Sequence, residues 1–168
     1  MTPRLFCAAL ATALLTLAQA PVATAADLSP QYVQRSTRCP VCGMYPYRTP
    51  QWMGQIVFND QTASTFDSPV DMFRFLNNMI VFDKQHKLVD VGAIWVADYN
   101  SKAWVDARKA LYVMGSKARG PMNEPNLPAF ATRDAADAHI KAQGGKVLQF
   151  SEITRELIKS LSGGQHNH

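Results

Sequence analysis

"WMGQIVFNDQTASTFDSPVDMFRFL", residues 52–76, holds the pattern of two strands and a helix in one uninterrupted stretch. The β-branched and aromatic residues of 52–58 predict a strand, Asn59-Asp60-Gln61 a turn, and residues 62–66 a returning strand, which together make a hairpin. Asp67 or Ser68 then caps a helix, with Pro69 at its first position and Asp71 in its first turn, where the helix dipole favours an acid. Met72, Phe73, Leu76, Met79 and Ile80 recur at helical spacing and build one apolar face, with the helix ending between Asn77 and Val81. A charged connection, residues 83–87, leads to the apolar run 93–99, which reads as a strand buried on both faces. The order is β-β-α-β.

Moving outward, the C-terminal half repeats that order. Residues 110–116 and 127–131 read as strands, Thr132 caps a helix over 132–143, Gly144-Gly145 stops it, and 146–150 closes as the last strand. Phe66 and Phe130 stand at matching places before the two helices, as do Gly92 and Gly145 before the two closing strands. The predicted fold class is therefore α+β: two small related ββαβ units packed together, residues 38–100 and 101–150. A terminal helix over 151–161, capped by Ser151, follows, and the 151–168 segment ends in a glycine-rich tail with His166 and His168.

Residues 1–25 fall outside this pattern. Arg4, an apolar run from Leu5 to Leu17 and Ala23-Thr24-Ala25 have the order of a secretory signal, and the run is short for a membrane span. The mature chain is expected to begin near Ala26 or Asp27, with a polar leader through residue 37, as a soluble exported, periplasmic protein. Cys7 leaves with the signal; it lacks the small preceding residue of a lipidation site. Losing Arg4 leaves a net charge of +3, scattered along the chain, and no basic stripe with interleaved aromatics argues for nucleic acid. Hydrophobic residues at 47% and charged residues at 18% describe a folded globular protein rather than a disordered one.

The chemistry concentrates in "RCPVCGMYPY", residues 38–47, where Pro40, Gly43 and Pro46 enforce a loop. Cys39 and Cys42 allow a thiol-disulfide couple, but such a couple opens a helix that acidifies its first thiol, and Gly43 with two prolines denies that helix. They also form one knuckle of a zinc site; no second knuckle follows, and His166 and His168 would have to return from the far end of the chain. The third reading is a soft-metal clamp. Thiolate and thioether sulfurs select Cu(I), and Met44 stands across one glycine from Cys42. Met53 and Met114 fall in strand patterns and read as core. Met122, in the Gly- and Pro-rich loop "GPMNEPNLP", is explained by no strand or helix face, and both ligand and core readings stay open for it. His86 reads as a solvated surface residue and His139 as partly buried structure. No set of acid, base and nucleophile is evident, so the expectation is not an enzyme.

Taken in series, Cys39-Pro40-Val41-Cys42-Gly43-Met44, "FDSPVDMFRF", "ADYNSKAWVDARKALYVMGSKARGPM" and "AQGGKVLQFSEI" resemble the NosL family, accessory proteins of nitrous oxide reductase, over residues 38–150. The resemblance implies a periplasmic Cu(I) metallochaperone built of two ββαβ units. Its implied client is nitrous oxide reductase or another exported copper enzyme, with a membrane ABC-type assembly complex as further partner. Carried over by position, the ligands it implies are Cys42 and Met44, with Met122 as third and Cys39 as an additional or alternative thiolate.

Overall fold

The computed structural model describes residues 26–162, so the signal segment, Cys7, His166 and His168 lie outside the described residues. The first unit contains β1 (Gly54–Phe58), β2 (Ala63–Phe66), α1 (Pro69–Asn77), the one-turn α2 (Met79–Phe82), β3 (Val91–Ala97) and β4 (Trp104–Asp106). The second contains β5 (Leu111–Met114), β6 (Ala129–Phe130), α3 (Arg133–Gln143) and β7 (Lys146–Gln149), and α4 (Arg155–Ser162) ends the described chain. Both sheets are antiparallel, in the orders β2-β1-β3-β4 and β6-β5-β7. In each, the first strand lies between its hairpin partner and the strand that follows the helix. The α+β class and the repeated ββαβ order are thus present, with β4 extending the first sheet to Asp106.

Several local expectations need correction. α1 stops at Asn77, and Asn78 departs from helical geometry (φ −151°, ψ 47°) before α2 begins. That break resets the helical phase, so Ile80, counted with the buried face, is 84% exposed. β3 runs from Val91 to Ala97, not to Tyr99. Asp98 instead makes a turn, its Oδ1 accepting from the Asn100 and Ser101 amides while its Oδ2 accepts from Ala131 N–H at 2.8 Å, which ties the two sheets together. β3 is covered less evenly than a doubly buried strand. Trp95 is half-buried, and its indole N–H donates to Leu28 O at 2.9 Å. The polar leader is therefore docked, a point reinforced by the exchange between Gln31 and the buried amide of Gln55. At the other end, Ser151 lies in a 3-10 turn, and Thr154 is the residue whose hydroxyl accepts from Leu157 N–H, the capping interaction expected of Ser151.

One apolar cluster serves both sheets. Ile56, Phe66, Phe73 and Phe75 from the first unit pack with Tyr112, Leu127 and Leu148 from the second and with Ile158 of α4. Phe73 meets the rings of Tyr112 at 5.5 Å and Phe150 at 5.0 Å. These contacts fix α1 between the two sheets, and the first turn of α1 is what the cysteine loop, residues 38–47, rests on.

His86 is not a solvated surface residue. Its ring stacks on Phe58 at 3.8 Å and 4°, Nδ1 lies 2.7 Å from Asp83 Oδ2, and Nε2 lies 3.2 Å from Asp60 Oδ2. Desolvation opposes its charge, but hydrogen bonds to Asp83 and Asp60 outweigh it and raise its pKa, while Asp60 is held down at about 2 by the Thr62 amide and hydroxyl and by His86. A raised histidine contributes stability that is complete below its unfolded pKa of about 6.5 and is lost as pH rises through the folded value. Thermal unfolding at pH 6 and pH 8.5 is expected to show this decline in the parent protein and a smaller one in His86→Gln; equal declines would exclude the histidine as its source.

Candidate metal centre

The loop after Arg38 turns back on itself through two backbone hydrogen bonds: Gly43 N–H to Cys39 O at 2.9 Å, and Cys39 N–H to Met44 O at 2.8 Å. Gly43 sits at φ +75°, where a side chain would be strained, so glycine is what lets Cys-x-x-Cys close. The Arg38 guanidinium braces the outside by donating to Gly43 O at 3.0 Å. Pro46–Arg48 and Pro50–Trp52 follow as short 3-10 turns anchored by the buried Pro46 and Trp52. The result is a rigid loop with both thiols turned inward.

What the thiols face was not read from sequence. Cys42 Sγ lies 3.1 Å from Asp67 Oδ1, and Cys39 Sγ lies 3.6 Å from Asp71 Oδ2. Ligand atoms of Cys39, Cys42, Asp67 and Asp71 all fall within 4.8 Å of one another. Sequence alone assigned both acids to the helix start, yet Ser68 does the capping, its hydroxyl accepting from Asp71 N–H at 3.2 Å. Asp67 is thereby left free to meet Cys42. Asp71 meets Cys39 with one oxygen and Arg74, at 2.6 Å, with the other. The available signal was an acid on each side of a Ser-Pro cap, one more carboxylate than a helix start requires.

Three of the four residues are buried and Cys42 is half-buried. The neighbouring Cys39 thiol, burial and the Asp71 carboxylate all push the Cys42 thiol far above its ordinary range. Burial, with the Asp71 charge, likewise raises Asp67, against the opposing effect of the thiol hydrogen bonds. Both cysteines are free thiols. A metal entering here must displace protons to obtain its thiolates.

Of the other residues singled out by sequence, Met44 is 37% exposed on the outer shoulder of the same loop. Met122 is 47% exposed in a separate loop, residues 119–125, closed by an Arg119–Pro125 bridge and by Gly120 N–H to Glu124 O at 2.9 Å. That loop is held by buried Asn126, whose side-chain oxygen accepts from Val70 N–H at 3.4 Å, in the first turn of α1 beside Asp71. A Cβ on Gly120 would displace Glu124 Oε1 and Asn126 Nδ2, the side chains that close this loop. Met114 packs against the core, as expected.

The fold and the loop define an α+β protein with a dithiol centre set on a helix N-terminus, one exposed methionine, Met44, on the dithiol loop itself and another, Met122, on the loop that Asn126 ties to the same helix start. The chain belongs to the NosL family, whose sequence pattern matches residues 30–158. This is the family that the cysteine loop and the four motifs resembled. It is 29% identical to the copper-binding lipoprotein NosL of Stutzerimonas stutzeri, with 84% of this chain and 77% of that protein covered. It is 40% identical to the copper-binding lipoprotein NosL of Achromobacter cycloclastes over 40% of this chain and 34% of that one. The crystal structure of the copper chaperone NosL from Shewanella denitrificans has the same fold, with TM-score 0.62 and 25% identity over 78% of this chain and 99% of that one. Among the described residues no helix is long and apolar enough to cross a membrane.

Proposed function

We propose that the chain is an exported Cu(I) metallochaperone that binds its cargo through Cys42 and Cys39, takes further sulfur from Met44 and Met122, and passes the ion to an exported copper enzyme. The observation that carries this reading is the pair of thiols brought together on a pre-closed loop with a thioether at its rim. Two metal–thiolate bonds of about 2.3 Å, the length known for zinc, span at most ~4.6 Å, and the sulfurs already lie within 4.8 Å. Little rearrangement is needed to seat one ion between them. Sulfur softness favours Cu(I) over harder cations. The names of the relatives, copper-binding lipoprotein and copper chaperone, support the same cargo and a role other than catalysis. Nitrous oxide reductase is the client, and a membrane ABC-type complex the further partner, that the family resemblance implies. The lipoprotein names of the relatives support export.

The same geometry argues against thiol-disulfide exchange. Cys39, the first thiol of the pair, is 2% exposed and so closed to an incoming disulfide, and the half-buried Cys42 thiol is driven above its ordinary range rather than acidified. A second reading does have an observation behind it: two thiols and two carboxylates form a complete four-ligand set for Zn(II), which the sequence had lacked without His166 and His168.

Anaerobic competition of the reduced protein against a chromophoric Cu(I) chelator, beside a parallel Zn(II) titration, tests both. Because the protein starts with a protonated Cys42, each proton displaced should weaken apparent copper affinity about tenfold per pH unit of acidification. Tight Cu(I) binding at pH 7.5 that falls steeply by pH 5 is the expected result. Equal uptake at the two pH values would remove thiolate ligation, and tighter retention of zinc than of copper would favour the second reading.

A further inference from the structure

The rim of the metal loop holds three arginines threaded through two tyrosine rings. Arg38 lies 4.0 Å from the centroid of Tyr45, Arg48 lies 5.2 Å from Tyr45 and 5.9 Å from Tyr47, and Arg35 lies 5.8 Å from Tyr47. The two rings meet edge to face at 6.1 Å, so cations and rings form one continuous patch. All three arginines are exposed, and both tyrosines are half-buried. The backbone beneath is stiff: Tyr47 and Arg48 belong to the Pro46–Arg48 turn, and Arg48 Nε donates to Tyr47 OH at 3.4 Å.

Among the described residues no carboxylate forms an ion pair with this patch. The ion pairs of the described residues use Arg74, His86, Lys109 and Arg133, and none uses Arg35, Arg38 or Arg48. Three like charges collected at one rim repel one another, and the tyrosine faces compensate only in part, by about 0.5–1 kcal/mol for an exposed cation–π contact. Arg38 has a local task in bracing Gly43 O, which leaves Arg35 and Arg48 with none that the loop itself requires. A guanidinium offers a planar fork of five donors, so those that Gly43 O and Tyr47 OH leave unused can pair with carboxylates, and a pre-ordered patch loses little side-chain entropy on docking. Met44 emerges at this same rim, so whatever covers the arginines is also placed to receive the ion.

From this we infer that Arg35, Arg38 and Arg48 with Tyr45 and Tyr47 form the docking surface for an acidic copper acceptor, an exported protein presenting clustered carboxylates around its copper entrance. Charge complementarity speeds encounter and orients the two sites, so that thioether and thiolate ligands are exchanged one at a time across the Met44 edge. The inference rests on the copper-carrier reading for its purpose, while the docking itself can be measured without metal.

The test uses a labelled peptide in which glutamates flank a Met-Gly-Met acceptor, and a twin with glutamine in place of glutamate. Each is titrated by anisotropy into the metal-free protein and then used as acceptor from the Cu(I)-loaded protein. Binding is expected for the glutamate peptide alone, weakening as salt rises from about 50 to 300 mM. Arg35→Gln/Arg48→Gln should weaken that binding about tenfold, the loss of two exposed ion pairs, and Arg35→Lys/Arg48→Lys should restore most of it. Copper affinity against the chelator should stay within about twofold of the parent in both variants, since neither residue is a ligand. Equal binding of the two peptides, or an unchanged preference in the glutamine variant, overturns the inference. So does a loss of copper affinity in that variant with peptide binding intact, which would assign the arginines to balancing charge at the metal. Arginine-dependent binding to vesicles of anionic phospholipid with no peptide preference would overturn it in favour of a membrane surface. Failure of the carrier reading looks different: the chelator strips the copper at once, while the peptide preference remains.

Discussion

Cys42→Ser is expected to lower Cu(I) affinity by at least about a hundredfold, because a thiolate is replaced by a hydroxyl that is neither soft nor deprotonated at neutral pH. The magnitude follows from dividing the roughly 10–16 kcal/mol of a four-ligand zinc site among its ligands, which leaves about 3 kcal/mol for one thiolate. Cys42 is the cleaner of the two thiols to remove, being half-buried, whereas Cys39 is 2% exposed and joins the core cluster. Cys39→Ser should therefore combine a loss of metal with a lower unfolding temperature, and Cys42→Ser should change the metal alone. Met44→Leu and Met122→Leu keep apolar volume and remove a neutral donor, so each is expected to weaken binding by about tenfold. Competition against the same chelator reads all four. A Cys42→Ser protein that binds as tightly as its parent would end the dithiol account, and an unaffected Met122→Leu would confine the site to one loop.

The parts of this molecule that were legible in sequence are those governed by neighbours in the chain. The hairpin over β1 and β2, Pro69 at the start of α1, the Thr132 cap and the repeated ββαβ order follow from propensity, turn chemistry and periodicity within short windows. The pairing of Cys39 with Cys42 was equally local. What escaped depends on tertiary contact. Nothing in residues 83–87 says that His86 will lie flat on Phe58 and between two aspartates, since Asp60 is distant in sequence. The end of α1 was placed too loosely because Asn78 breaks a helix whose apolar periodicity continues across the break.

Asp67 and Asp71 show the same limit at the site itself. Each has a sufficient local reason to exist, as a cap or as a partner for the helix dipole, and those reasons concealed their approach to the thiols. Only the packing of the 38–47 loop over the start of α1 reveals it, through Cys42 to Asp67 at 3.1 Å. The chemistry gains from the juxtaposition. The neighbouring Cys39 thiol, burial and the Asp71 carboxylate together hold Cys42 protonated, which keeps it a poor nucleophile toward disulfides. They also make loading dependent on proton release, so the ion and the protons share one site.

Tyr112→Ala should cost about 3–5 kcal/mol, a large part of the roughly 5–15 kcal/mol that stabilises a domain of this size. Tyr112 is fully buried on β5, the middle strand of the second sheet, and its ring contacts Phe73 of α1 from the first unit. Its hydroxyl donates to Ala107 O at 2.8 Å, so Tyr112→Phe should itself cost about 1–3 kcal/mol by leaving a buried carbonyl unpaired. The larger substitution separates two accounts of the repeated architecture. With one core cluster spanning both sheets, removing this ring should lower a single cooperative transition by about 10 °C or more. Hydrogen exchange should accelerate together at Ile56 in β1 and Val113 in β5, because α1 contacts both halves through Phe73 and its neighbours. Retained protection at Ile56 with protection lost at Val113 would mean that the two ββαβ units fold independently. The metal loop, which rests on α1, would in that case survive the loss of the second unit, and copper affinity in Tyr112→Ala would match the parent. A single transition instead couples the loop to the whole core, and the same variant should bind copper more weakly as temperature approaches its lowered midpoint.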